Sequence, residues 1–251
     1  MPFTLSHVLA VYPFKKLTPR YLSVSGLIVG SMAPDFEFFI RVTLYGIWGH
    51  TFLGIFLFNL PISIALCLLF HQVIKRPLIL HLPGPLYARF YKHLEVNWLV
   101  FFRENVVKVV LSILLGIFTH FLWDNFTHEP NYVSPFYIDC LLEDIFLFGN
   151  NIPLYDTLWL TSSFAGLAGF LLFIYMVKVD PATPQRKNTT INWYWGLVVG
   201  IAAVVILIRY VIGVPDEKPK EQLLVICISA FLIGLTLTSW FWQRRNIPNE
   251  D

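Results

Sequence analysis

Residues 109–128 read VVLSILLGIFTHFLWDNFTH. The first fifteen, Val109–Trp123, contain no Asp, Glu, Lys or Arg, and the last nine set His120, Asp124 and His128 at intervals of four. An α-helix rises 1.5 Å per residue, so ~20 mostly apolar residues cross a ~30 Å hydrocarbon layer. The run therefore completes a spanning helix that begins near Glu104, where Glu104 and Lys108 stand in the favourable order for a helical ion pair. The i, i+4, i+8 spacing places His120, Asp124 and His128 on one face wherever the helix continues.

The rest of the chain repeats the apolar pattern. Of 251 residues, 56% are apolar and only 14% charged, with a mean hydropathy of +0.63. A soluble domain has roughly 25% charged residues, so the composition excludes a conventional soluble enzyme and a disordered chain. A net charge of +2 offers no basic field for nucleic acid. Val42–Ile74 is uncharged and holds one span of roughly 47–73, with Pro61 expected to kink it. Thr157–Val177, Asn192–Ile212 and Gln222–Trp242 supply three more. The expected fold is an all-α, polytopic membrane helical bundle with five full spans. Residues 1–180 form its polar-cluster part and 181–251 a C-terminal two-span hairpin. The three cysteines, Cys67, Cys140 and Cys227, form no CxxC pair and read as inert thiols.

Loop charges orient the spans. Positions 75–108 carry six Lys/Arg, whereas 124–177 carry none against six acids. Lys178, Arg186 and Lys187 follow the next span, and Arg244–Arg245 the last. The positive-inside rule then puts 75–105, 178–191 and the C-terminus in the cytoplasm, and 124–156 and 213–221 outside. At the N-terminus, Lys15, Lys16 and Arg20 followed by Tyr21–Ala33 have the outline of a signal peptide, but Pro34 would follow the cut. A re-entrant or short helical hairpin is the better reading: Ser6 to about Phe14 runs inward and Tyr21 to about Ala33 returns, with Thr4 or Ser6 capping the first arm and Pro34 stopping the second. Such a hairpin brings Asp35 back to the level of His7. Small residues at Gly196, Gly200 and Ala203, and near Gly166 and Gly169, suit close helix contact.

Topology thus gathers His7, Asp35, His50, His120, Asp124 and His128 at one leaflet, including four of the seven histidines. Ionisable groups in a membrane bundle are costly and mark function by default. Imidazole and carboxylate ligands without cysteine suit Zn²⁺, with Mn²⁺, Fe²⁺ or Co²⁺ as other divalent metals. A catalytic zinc uses three protein ligands, so six candidates imply two ions or one ion with supporting residues. The expected ligands are His7, Asp35, His50, His120 and Asp124. His128 is a ligand or base, and Glu37 a ligand or general base. Ser6, Thr51, Asn125 and Thr127 are placed to orient them. His71 reads as interfacial, His81 and His93 as solvated loop residues, and Arg209 as snorkelling to the surface.

At these residues the chain resembles the prokaryotic domain-of-unknown-function family 4184. The resemblance rests on Met1–His7, on the Gly-Ser-Met-Ala-Pro-Asp-Phe-Glu block at 30–37, on Gly49-His50-Thr51, and on Thr119-His120 with Trp123-Asp124 and Thr127-His128. It covers about the first 180 residues and extends over the chain. More remotely, the order of these motifs is similar to that of membrane-bound metal-dependent hydrolases and, in helical ligand pattern, zinc-dependent phospholipase C. The resemblance implies an integral protein of the prokaryotic cytoplasmic membrane. The expected function is a metal-dependent hydrolase attacking phosphoesters or lipid-linked substrates at the outer face. The acidic loop, with Tyr132, Phe136 and Tyr137, is expected to roof the site, and Ile145–Phe148 to lie in the interface. Alternatives are a transporter or ion relay using the same cluster, and a non-catalytic scaffold with a structural metal. The bilayer is the partner read from the sequence, which leaves the oligomeric state open.

Overall fold

The computed structural model describes residues 4–11, 13–14, 20–129, 139–147, 149–184 and 190–245. A 3-10 turn at Thr4–Ser6 leads into the short helix His7–Ala10 (α1). Val24–Met32 (α2), a 3-10 turn at Ala33–Asp35 and Phe36–Arg41 (α3) follow. Phe52–His81 (α4) is the first long helix. Gly84–Phe90 (α5), Trp98–Glu104 (α6) and Val106–Thr127 (α7) come next. An antiparallel hairpin of Asp144–Leu147 (β1) and Asn150–Pro153 (β2) precedes Leu154–Met176 (α8). Ile191–Ile212 (α9) and Pro219–Arg245 (α10) complete the described order. Helices α4, α7, α8, α9 and α10 are long and apolar enough to cross a membrane. The chain is an integral membrane protein of all-α class.

Several boundaries differ from the sequence expectation for physical reasons. α4 continues to His81 rather than ending near residue 73, and it accommodates its prolines by π turns. Pro61 and Pro77 lack an N–H and crowd the carbonyls of Leu57 and Val73. Both carbonyls lie in π segments, Ile55–Asn59 and Phe70–Ile74, whose ladders close by i→i−5 bonds from Leu60 to Ile55 and from Lys75 to Phe70. α7 starts only at Val106, after a break at Asn105, so Glu104 and Lys108 stand on different helices. α1 ends at Ala10, and α2 begins at Val24, capped by Ser23 through Gly26 N–H. Ser6 precedes α1 without a side-chain cap bond. Lys15, Lys16, Tyr132, Phe136, Tyr137, Phe148, Arg186 and Lys187 lie outside the described residues.

The chain divides into two compact units. The first comprises 1–37, 46–67 and 104–176. Its centre is the crossing of α2 and α7, where Gly26 and Gly30 form a small-xxx-small face. A Cβ at Gly30 would lie 2.3 Å from the Ile113 carbonyl oxygen, and one at Gly116 only 2.4 Å from that of Leu27. Only glycine permits so close an approach. Ser112 Oγ accepts the Ser23 N–H at 2.8 Å, tying the start of α2 to α7. Gly166 on α8 meets Ser6 as closely, since a Cβ there would sit 2.2 Å from the Ser6 Cβ.

The second unit comprises 38–45, 68–103 and 177–251. Ile74, Tyr194, Val198 and Leu235 form its core. Gly196 and Gly200 face open space, and the tight approach of α9 and α10 is at Gly234, against the Val198 carbonyl. His81 is not solvated: the longer α4 carries it inside at 2% exposure, stacked on Tyr194. Arg209 turns inward at its Nε, which donates to the carbonyl of Val42, a residue held at φ +54.

Candidate metal centre

Four separate pieces of backbone deliver the polar cluster, all within the first unit. His7 opens α1, Asp35 closes the 3-10 turn after α2, His50 precedes α4, and His120 with Asp124 lie one turn apart on α7. His7, Asp35 and His120 are fully buried and Asp124 is 1% exposed. The His50 and His128 side chains are 15% and 17% exposed and form the rim.

The close crossing of α2 and α7 sets His120. It brings the Ser31 carbonyl to 2.8 Å from His120 Nδ1. An Nδ1–H donated to that carbonyl leaves a lone pair on Nε2, as metal-binding histidines require. His120 Nε2 lies 3.1 Å from Asp124 Oδ2 and 3.4 Å from His50 Nε2. His50 Nε2 is 3.4 Å from the same Asp124 oxygen. Asp35 Oδ1 stands 3.7 Å from His50 Nε2 and 3.8 Å from His120 Nε2. The other Asp35 oxygen accepts the Thr4 hydroxyl at 2.7 Å.

These separations have a simple meaning. Two atoms ~2.0–2.1 Å from a tetrahedral ion are roughly 3.3–3.4 Å apart. The three edges between His50, His120 and Asp124 match one face of such a shell, and His7, Asp35 and His120 form a second set whose ligand atoms lie within 4.8 Å of one another. Among the described residues, Asp35 Oδ1, Asp124 Oδ1 and both ring nitrogens of His7 are buried without a hydrogen-bond partner. Leaving such groups unmet costs about 1–3 kcal/mol each. The donor set fits a divalent ion.

His7 stacks on His120 with ring centroids 4.0 Å apart, and its Nε2 is 3.5 Å from Asp124 Oδ1. Burial, aided by the neighbouring His120, holds the His7 pKa well below the ordinary imidazole range. His128 caps α7 in extended conformation, yet its Nδ1 reaches within 3.6 Å of Asp124 Oδ1. Burial lowers its pKa to about 4. Both rings are therefore neutral at physiological pH and able to offer a lone pair.

All six clustered residues expected from the sequence converge. Glu37 sits elsewhere. Its Oε1 accepts the Ile47 N–H at 2.8 Å, and its Oε2 those of Trp48 and Gly49 at 2.8 and 2.6 Å. Those bonds fix the loop that carries His50. Asn59, buried in the first π turn of α4, donates to the Gly49 carbonyl at 2.7 Å. The peptide before His50 is thus gripped from both sides, and a Cβ at Gly49 would lie 2.3 Å from the Pro34 carbonyl. Thr51 caps α4 rather than touching the cluster, and the Thr127 hydroxyl lies 3.3 Å from His128 Nδ1. A lone Asn in an apolar run was the available signal for Asn59. Thr4 reads in the sequence only as a helix cap, whereas its hydroxyl donates to Asp35, and the Ser31 carbonyl has no letter of its own.

A family model described as Domain of unknown function (DUF4184) matches residues 1–240. No curated protein and no solved structure matches the chain. The chain belongs to the DUF4184 family.

Proposed function

We propose that this DUF4184 member is a membrane-embedded, metal-dependent hydrolase of phosphoester or lipid-linked substrates. The observation that carries the reading is the set of three ligand atoms, His50 Nε2, His120 Nε2 and Asp124 Oδ2, spaced 3.1–3.4 Å apart around a common point. Asp35 Oδ1 stands 3.7 and 3.8 Å from the two imidazole nitrogens of that set. A divalent ion there, zinc being the best match to imidazole and carboxylate donors, supplies Lewis acidity and activates water at neutral pH.

The protein's own groups do the rest. His120 is held by the Ser31 carbonyl, Asp35 by the Thr4 hydroxyl, and the His50 loop by Glu37 and Asn59. Glu37 is a positioning residue in this reading. His128, neutral and at the rim, is placed to take a proton from an incoming nucleophile or to bind metal.

A cavity of about 890 Å³ supports a lipid-linked substrate. It is walled by Leu115, Phe118, Trp123, Phe126, Leu158 and Ala165, and it extends to Ser6 and Thr127, the chain neighbours of His7 and His128. An aliphatic chain suits that lining while a phosphate-containing headgroup reaches the cluster. The distribution of Lys and Arg in the loops supports an outer-face position for this end and a cytoplasmic C-terminus.

The test is metal content of the purified full chain, with His120→Ala and Asp124→Ala alongside, and a screen of phosphoesters and acyl esters. Stoichiometric zinc that both variants lose, with turnover only in the parent, is expected. A parent protein without metal contradicts the reading. Metal with no turnover in a broad screen favours a structural ion.

A further inference from the structure

We infer that the centre takes a second divalent ion, bound by His7 Nε2, His128 Nδ1 and Asp124 Oδ1, so that Asp124 bridges two ions. The inference rests on the metal reading above and adds a second position to it. One ion cannot use the whole cluster. His50, His120 and one oxygen of Asp124 already supply the three protein ligands of one ion, with Asp35 Oδ1 3.7 and 3.8 Å from the two imidazoles. A ring nitrogen binds one ion only, so His7 and the other Asp124 oxygen remain. Both are buried, and neither Asp124 Oδ1 nor either His7 nitrogen has a hydrogen-bond partner among the described residues. Polar atoms left in that state in a membrane protein's interior are aimed at a ligand.

Two of its separations come close to those of the first position. Asp124 Oδ1 lies 3.5 Å from His7 Nε2 and 3.6 Å from His128 Nδ1, while Asp124 Oδ2 faces His50 and His120. The carboxylate therefore turns one oxygen toward each pair of imidazoles. Ions that share a carboxylate stand ~3.5–4 Å apart in two-metal sites. The stacked His7 and His120 rings, 4.0 Å between centroids, match that separation and serve neighbouring ions side by side. His128 Nδ1 also lies 3.3 Å from the Asp124 carbonyl and from the Thr127 hydroxyl, at the same end of α7.

The two positions share one rim: His50 borders the first and His128 the second, with side chains 15% and 17% exposed. A phosphoryl substrate would enter at that rim.

The experiment is equilibrium loading of the full chain in detergent with Zn²⁺, read as ions per chain, and with Mn²⁺, read by electron paramagnetic resonance. Two zinc ions per parent chain are expected, with an exchange-coupled manganese signal. His128→Ala, at a partly exposed helix end, and His7→Ala should each retain one zinc and show the uncoupled signal of isolated manganese. One ion in the parent and an unchanged value in His128→Ala overturn the second position and leave the first standing. Two ions retained in both variants overturn the ligand assignment. No ion in the parent overturns both readings.

Discussion

Two buried histidines, one in each unit, show how differently the same side chain is used. His81 of the second unit is 2% exposed, with Nδ1 2.6 Å from the Pro77 carbonyl, Nε2 3.2 Å from the Thr190 hydroxyl, and its ring on Tyr194. His7 of the first unit is fully buried too, yet neither of its nitrogens finds a hydrogen bond among the described residues. A saturated histidine is part of a core. An unsaturated one, stacked on a second histidine and facing a carboxylate, is where the proposed metal would bind.

Substitutions can break that contrast. The largest effect is expected from Asp124→Ala, which removes both oxygens that face the imidazoles and should abolish metal binding, read as ions per chain after dialysis. Glu37→Gln comes next. It touches no ligand atom, but it loosens the loop before His50 and should cost about 10–100-fold in metal affinity, measured by competition with a chromophoric chelator. Retained affinity would show that Glu37 is dispensable as a support. Ala165→Trp should raise KM for long-chain substrates and leave that of short-chain analogues near the parent value, because it fills the apolar cavity and not the cluster. His81→Phe should lower thermal stability by about 1–3 kcal/mol, since it leaves Thr190 unmet, without changing metal content. A loss of metal in that variant would erase the distinction between the two histidines.

The smallest effect is a pH dependence. His128 has a folded pKa of about 4, below the ~6.5 of an unfolded histidine. A depressed pKa gives stability that is complete above ~6.5 and is lost as pH falls toward the folded value. The melting temperature of the metal-free protein should therefore fall over that window, and His128→Gln should flatten its share of the slope.

The spans and the cluster were legible because both are written in side chains. Runs such as Val109–Trp123 fix where the bilayer is crossed, and loop charge with helical spacing brings His7, Asp35, His120 and Asp124 together. Glu37 was not legible as a strut, because its partners are the N–H groups of residues 47–49, which have no letter of their own. His81 reads as solvated because it follows the charged Lys75 and Arg76 in the cytoplasmic loop, whereas the helix runs on past both to His81. The glycines at 196 and 200 repeat the pattern of those at 26 and 30, but only the earlier pair meets a partner helix. Spacing alone does not say which face is covered. The β1–β2 hairpin, too, was read only as an apolar run, since its pairing depends on a turn at Gly149 with φ +82.

X-ray absorption at the metal edge of protein purified without chelator reads the ligand shell itself. A first shell of nitrogen and oxygen at ~2.0–2.2 Å is expected, with outer-shell scattering from several imidazoles, all of it lost in Asp124→Ala. No bound metal, or a shell containing sulfur from Cys67, Cys140 or Cys227, would contradict it.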